Sequence, residues 1–303
     1  MFGKKIGTKR KYEHNVAGYV FISPWLLGFL LLTLWPIIQS FYLSFTQYSL
    51  LDSPTWVGTG NYEAIFQKDR LFIKSLVVTF TFVLFAVPIK LFFSLMVAML
   101  LNRDIKGMSL YRTLIYFPSL IGGSIAVAAL WRNMFGLDGY INHILSWFSI
   151  EGIGWISNPK TALSTLILLS AWQFGSTMVI FLAGLKQIPK DLYESASVDG
   201  AGFFRKFSNI TIPMLSPVMF FNLVLGIINA FQMFTSAFVI TAGGPANSTY
   251  MYVLFLYEKA FKQFQMGYAS ALGWILLLII GLLTVINFVA SKYWVHYESE
   301  GGK

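Results

Sequence analysis

The sequence predicts an all-α integral membrane protein, a six-span helical bundle. Apolar runs close to the ~20 residues that one helix needs to cross hydrocarbon recur along the chain. The composition agrees: of 303 residues, 56% are hydrophobic, 17% aromatic and only 12% charged, against roughly a quarter charged in a globular domain. The surplus apolar surface must face lipid. The net charge of +9 does not mark a nucleic-acid binder, because Lys and Arg lie in short segments between apolar runs and not along one face. Cysteine is absent, so there is no disulfide framework, thiol nucleophile or thiolate metal site.

The runs expected to span the membrane are 18–40, 77–101, 113–131, 163–185, 217–240 and 269–290. The first is longer than a signal-peptide core and no small-x-small cleavage pattern follows it, so it is expected to be retained as a span. An even number of spans puts both termini on one side. With the N-terminus inside, the cytosolic segments hold Lys4, Lys5, Lys9, Arg10, Lys11, Arg103, Lys106, Arg112, Lys186, Lys190, Arg205, Lys206, Lys292 and Lys303. The outer segments hold half as many: Lys68, Arg70, Lys74, Arg132, Lys160, Lys259 and Lys262. This asymmetry predicts a multi-pass membrane protein with both termini cytosolic. The expected division is a basic cytosolic tail over 1–17, a membrane domain over 18–291 and a cytosolic tail over 292–303.

The loops carry further information. The inner loop 102–112 is tight, whereas the inner loop 186–211 is too long for a turn and too polar to insert. The outer segments 46–74, 133–162 and 241–268 are rich in Trp, Tyr, Gly and Pro, consistent with short interfacial helices and turns and too small for an outer domain.

Within 186–211, Pro189 and Asp191 begin a helix that Gly200-Ala201-Gly202 ends. Ser195, Ala196 and Ser197 keep its surface open to close approach, and Gly200 supplies a positive-φ turn. A second, amphipathic piece starts near Phe203 and reaches Pro213 at the start of the fifth span, so displacement of the first helix would be passed to the membrane.

The run Tyr193-Glu194-Ser195-Ala196 through Asp199-Gly200-Ala201, followed by Ile210-Thr211-Ile212-Pro213, resembles the EAA loop of ATP-binding-cassette (ABC) importer permeases, with Ser195 where Ala is commonest. Most of the chain is similar to the maltose-type carbohydrate permeases. Ser23-Pro24-Trp25, Leu100-Leu101-Asn102 with Arg112 and Pro118, and Gly243-Gly244-Pro245 stand in the expected order. The resemblance implies a type I importer permease bundle paired with a second, homologous permease, two ATPase subunits below and a solute-binding protein delivering a sugar outside. It implies that Tyr193, Glu194, Ser195, Ala196, Asp199, Gly200, Ala201 and Pro213 couple the bundle to the ATPase. ATP and Mg would then reside on the partner chains, and the two bundles would alternate between inward- and outward-facing states.

Polar groups inside spans should face a protein interior or a solute path. Span four carries Trp172, Gln173, Ser176 and Thr177. Span five carries Asn222, Asn229 and Gln232, with Phe231 and Phe234 beside them. Rings and amides suit the C–H faces and hydroxyls of a pyranose, but the same residues also glue helices together. The family resemblance places sugar contacts at Trp172, Gln173, Ser176, Asn229, Gln232 and Met233. Lys90, near the middle of span two, is too deep for easy snorkelling. It either lines the path and meets a carboxylate on an acidic sugar, or forms a structural pair with a partner chain or a helix-end carbonyl.

The sequence has no G-x-x-x-x-G-K-[ST] loop, no H-E-x-x-H and no G-x-S-x-G, and His14, His143 and His296 are isolated. No catalytic, cofactor or metal site is therefore expected on this chain. Two alternatives are an ion-coupled secondary transporter, disfavoured by the near absence of Asp and Glu from the spans, and an ABC permease for a non-sugar solute.

Overall fold

Pro36 and Pro213 each stand two residues beyond a π-helical segment, Leu30–Leu34 and Phe207–Thr211, in the computed structural model, which describes residues 9–103 and 105–296. A proline withholds one N–H and its ring crowds the carbonyl four residues back, here Leu32 and Asn209. A local π turn is one way a membrane helix re-satisfies backbone groups freed in this manner. Pro24, Pro88, Pro118 and Pro217 lie in regular α-helix, so proline alone does not dictate the distortion.

The chain divides into two units. One comprises the residues up to Gln67 with Lys259–Ile275, the other Lys68–Glu258 with the residues from Leu276 onward. In the first, α1 (Lys9–Phe29), the π segment and α2 (Trp35–Ser44) form one helical run. It begins at Lys9, so Lys9, Arg10 and Lys11 are helical; Lys4, Lys5 and Lys303, also used for orientation, lie outside the described residues. A small antiparallel hairpin follows, β1 (Thr46–Gln47) and β2 (Thr55–Trp56), with Thr46 opposite Trp56. The Asn61 amide, on α3 (Gly60–Gln67), donates to the carbonyls of Ser44 and Thr46, both at 2.9 Å.

In the second unit α4 (Arg70–Leu101) is the central helix. Around it are α5 (Met108–Ile121), α6 (Ile125–Met134), α7 (Tyr140–Trp147), α8 (Ala162–Trp172), α9 (Gly175–Gln187), α10 (Lys190–Val198), α11 (Phe203–Lys206), α12 (Ile212–Phe231), α13 (Thr235–Ile240) and α14 (Tyr252–Tyr257). The last helix, α15 (Met266–Ser291), gives its residues up to Ile275 to the first unit and the rest to the second. α4 packs on α8, α9, α12 and α14. At one end Leu95, Ala98, Leu101, Met178, Phe181, Leu182, Leu185, Ile188 and Leu215 form a continuous buried core. Arg112 donates to the Leu101 carbonyl through Nη2 at 2.7 Å and Nε at 3.2 Å, satisfying an acceptor left open where α4 ends.

Among the described residues, four uninterrupted helical runs are long and apolar enough to cross a membrane: Gly18–Ser44, Arg70–Leu101, Phe203–Phe231 and Met266–Ser291. Two bent pairs bring the total to six when each is one span. The expected span 113–131 falls on one of these pairs, in which α5 and α6 meet at 96°. Gly122 and Gly123 weaken the helix there and Ser124 caps a new one, its Oγ accepting from Val127 N. The expected span 163–185 bends by 43° between Trp172 and Gly175. The expected span 217–240 needs correcting. The helix starts at Phe203, running through the π segment, and stops at Phe231, leaving α13 as a separate short helix.

Candidate substrate cavity and docking loop

The two helix breaks are fastened to each other and to α4. Gln173 Nε2 donates to the Gly122 carbonyl at 2.5 Å, and Gly175 N donates to Ser119 Oγ at 2.6 Å. Ser94 Oγ, on α4, donates to the Phe174 carbonyl at 3.1 Å, which also accepts from Met178 N at 2.9 Å. The Gly122 carbonyl and the Gly175 N–H, backbone groups that would be costly in an apolar medium, are thus met by the side chains of Gln173 and Ser119.

Beside these breaks, α4, α8, α9 and α12 enclose a cavity of about 330 Å³, completed by Met233 and by Ser236 of α13. That volume lies in the range of small-molecule sites. Lys90 enters from α4 with Val87 and Leu91; Ser170, Gln173, Ser176 and Thr177 come from the broken pair; Asn222, Gly226 and Asn229 come from α12. No Asp or Glu lines it. Gly226 lets α12 approach α4 closely: a Cβ there would stand 3.1 Å from Val87 Cγ1, tighter than ordinary contact.

Of the residues expected along the solute path, Lys90, Gln173, Ser176, Asn229 and Met233 line this cavity together. Trp172, Phe231 and Gln232 do not. Trp172 packs instead near Trp131, with ring centroids 5.9 Å apart. Phe231 is buried against Phe80, edge to face at 5.0 Å. It follows Asn222 by nine residues, which at about 100° each is half a turn away on the helix. Gln232 caps the end of α12 and points elsewhere. Asn222 and Thr177, polar residues of spans five and four already singled out from the sequence, line it too, and Ser236, which the sequence reading missed, completes it. Asn222 and Asn229, seven residues apart, share one face of α12.

The loop 186–211 forms the expected short helix, α10, ended by a left-handed turn. Gly200 has φ +75°, Ala201 N donates to Ala196 O at 2.8 Å and Gly200 N to Ser197 O at 3.1 Å, the paired bonds of a Schellman turn. Glu194 and Ser195 are exposed, as are Val198 at 88% and Phe204 at 82%. Tyr193 points inward. Its hydroxyl hydrogen-bonds Thr211 Oγ1 at 2.9 Å and its ring packs on the core built from Leu95, Phe181 and Leu215. Lys206 Nζ donates to Ser197 Oγ at 2.5 Å. Thr211 sits in the π segment directly before α12, so α10 is tied to the same continuous run, Phe203–Phe231, that carries Asn222 and Asn229 to the cavity. Pro213 lies in the first turn of α12.

The segment Gly243-Gly244-Pro245 folds tightly. Thr249 Oγ1 donates to the Gly244 carbonyl at 2.8 Å, and the buried Tyr250 hydroxyl donates to Glu258. Burial first, then the hydrogen bond and charge of Glu258, push the Tyr250 phenol well above its usual range.

A helical membrane bundle with a short exposed helix fused to one long span is the framework of a transport permease. The family model "Binding-protein-dependent transport system inner membrane component" matches residues 64–294, and the chain belongs to that family of ABC transporter permeases. It is 53% identical to the probable ABC transporter permease protein YesP of Bacillus subtilis, over 98% of this chain and 96% of that protein. It is 35% identical to the arabinooligosaccharides transport system permease protein AraP of Halalkalibacterium halodurans, over 90% and 87% of the two chains. Its fold is similar to that in the crystal structure of a bacterial ABC transporter involved in the import of the acidic polysaccharide alginate, with a TM-score of 0.79 and 22% identity over 94% of this chain and 98% of that one. Family membership sets aside the ion-coupled alternative.

Proposed function

We propose that this chain is one of two membrane halves of an importer that carries a sugar or oligosaccharide into a bacterial cell by alternating access. A second, homologous permease would complete the path, two ATPase subunits would supply ATP and Mg chemistry, and a solute-binding protein would present the cargo outside. The observation that carries this reading is the fusion of α10, through Tyr193 and Thr211, to the helix that lines the polar cavity. An ATPase engaging Glu194, Ser195, Ala196 and the Asp199-Gly200-Ala201 turn would move α10, and the continuous run to Phe231 would carry that motion to Asn222 and Asn229. The chain itself has no catalytic role in this account. Both termini and α10 face the cytosol, as the distribution of Lys and Arg requires, with 1–17 and 292–303 as the cytosolic ends of a membrane domain over 18–291. Amides, hydroxyls and an ammonium around a cavity of this size suit a hydroxyl-rich cargo, in keeping with relatives named for oligosaccharide transport.

The test is uptake of a labelled oligosaccharide panel by cells lacking this chain, with and without the restored gene. Restored uptake of at least one oligosaccharide, lost again when the ATPase is disabled, is the expected result. Uptake indifferent to the chain would overturn the reading.

A further inference from the structure

The cavity is short of negative charge and oversupplied with donors. Lys90 brings an ammonium with three donors and no acceptor, on a wall that contains no Asp or Glu. An ionisable group in a membrane span needs a partner or a solute path. Asn222 lines the same cavity, is only 4% exposed, and its Nδ2 donates to nothing. Folded proteins leave very few buried donors unpaired. An unpaired amide and an unpaired ammonium lining one polar cavity are both accounted for by an anion that enters it.

We infer that the cavity takes a carboxylate-bearing sugar, its carboxylate received by the Lys90 ammonium and the Asn222 amide. This deepens the sugar-import reading and rests on it. A neutral sugar could use the hydroxyls of Ser176 and Thr177 and the amide of Asn229, but it would leave Lys90 without counter-charge. Among the described residues Lys90 is the one cation lining this cavity, so its single charge balances a carboxylate, whereas a phosphate dianion would leave a second charge uncompensated. The depth of the cavity follows from helix register. Val87, Lys90 and Leu91 share one face of α4, and Asn222, Leu225, Gly226 and Asn229 share one face of α12. The carboxylate would therefore bind within the span and not at its mouth, where selection acts on a cargo already released by its delivery protein.

The test uses cells lacking the chromosomal copy, restored with the full chain or with Lys90→Met, Lys90→Arg or Asn222→Leu. The probes are a mixture of uronate-containing oligosaccharides and the same mixture after its carboxyl groups have been reduced to alcohols, so that linkage and length are identical. Depletion of each from the medium is followed by mass spectrometry. Wild type should take up the acidic set. Lys90→Met should lower acidic uptake about tenfold more than it lowers reduced-sugar uptake. Lys90→Arg should keep the acidic preference, and Asn222→Leu should lower it by several-fold. An equal fall for both sets in Lys90→Met, with normal amounts in the membrane, would make Lys90 a structural pair with a partner chain and overturn the inference, the sugar reading standing. Wild-type uptake of the reduced set alone would do the same. If Lys90→Met fails to accumulate, the acidic-to-reduced ratio in Asn222→Leu decides: a lowered ratio supports the inference and an unchanged one overturns it. Uptake of neither set by wild type would overturn the sugar-import reading itself.

Discussion

Gln173 and Gly122 lock two broken helices together: the amide of the first donates to the carbonyl of the second at 2.5 Å, and a Cβ on Gly122 would lie 2.7 Å from Gln173 Cγ. The bond spans the two points where α5/α6 and α8/α9 bend. Replacing Gln173 with Leu should therefore cost about 1 kcal/mol, a typical value for a side-chain hydrogen bond within a membrane. Gly122→Val should cost more, since it both crowds Gln173 and breaks the bond. Melting of the detergent-solubilised chain checks the order, wild type above Gln173→Leu above Gly122→Val.

The approach of α4 to α12 at Val87 and Gly226 makes a separate prediction. A Cβ on Gly226 would meet Val87 Cγ1 at 3.1 Å, so Gly226→Val must push the helices apart beside Lys90. Overpacking of this kind costs roughly 1–3 kcal/mol. Transport should fall by more than abundance does, and Val87→Ala in the same chain should recover part of it by giving room.

Tyr193→Phe removes one hydrogen bond, to Thr211, while leaving the ring on the core. Its expected cost is about 0.5–1.5 kcal/mol. The informative readout is coupling. Transport per ATP hydrolysed in the reconstituted importer should drop, because α10 then moves less faithfully with the helix beyond Thr211. Equal losses in hydrolysis and transport would argue against that role.

Alkaline sensitivity should centre on Tyr250. Its raised folded-state pKa, from burial and the Glu258 contact, means that the protonated phenol stabilises the fold. This contribution is fully present below the unfolded value near 10 and is lost as pH rises through the higher folded value. Thermal melts should be flat through neutral pH and fall above pH ~10, and Tyr250→Phe should blunt that fall.

Much of this organisation was legible in the sequence because long apolar runs and a capped polar helix leave strong local signals. The short helix between Pro189 and Gly200 is an example, bounded by residues whose backbone preferences act within one turn. The bends were harder to read. Gly122-Gly123 could be tolerated within a membrane helix, and only the contacts of Ser119 and Gln173 with the neighbouring pair hold a 96° corner there. The lining of the cavity was read in part: Phe231 lies half a turn away from Asn222, and composition alone gives no weight to that register. Asn222 was already legible as a polar residue inside its span, but the burial of its amide without a partner is visible only in the fold.

The most direct measurement of the central claim is recovery of an ATPase with this chain from gently solubilised native membranes, comparing wild type with Glu194→Lys and Gly200→Val. Glu194 is exposed on α10 and Gly200 sits at φ +75° with open space around it, so neither change should disturb the membrane helices, while Gly200→Val should unsettle the turn that ends α10. The account predicts a P-loop ATPase with wild type, strongly reduced in both variants at equal chain abundance. Recovery of the chain without an ATPase, or of one that both variants retain in full, would contradict it.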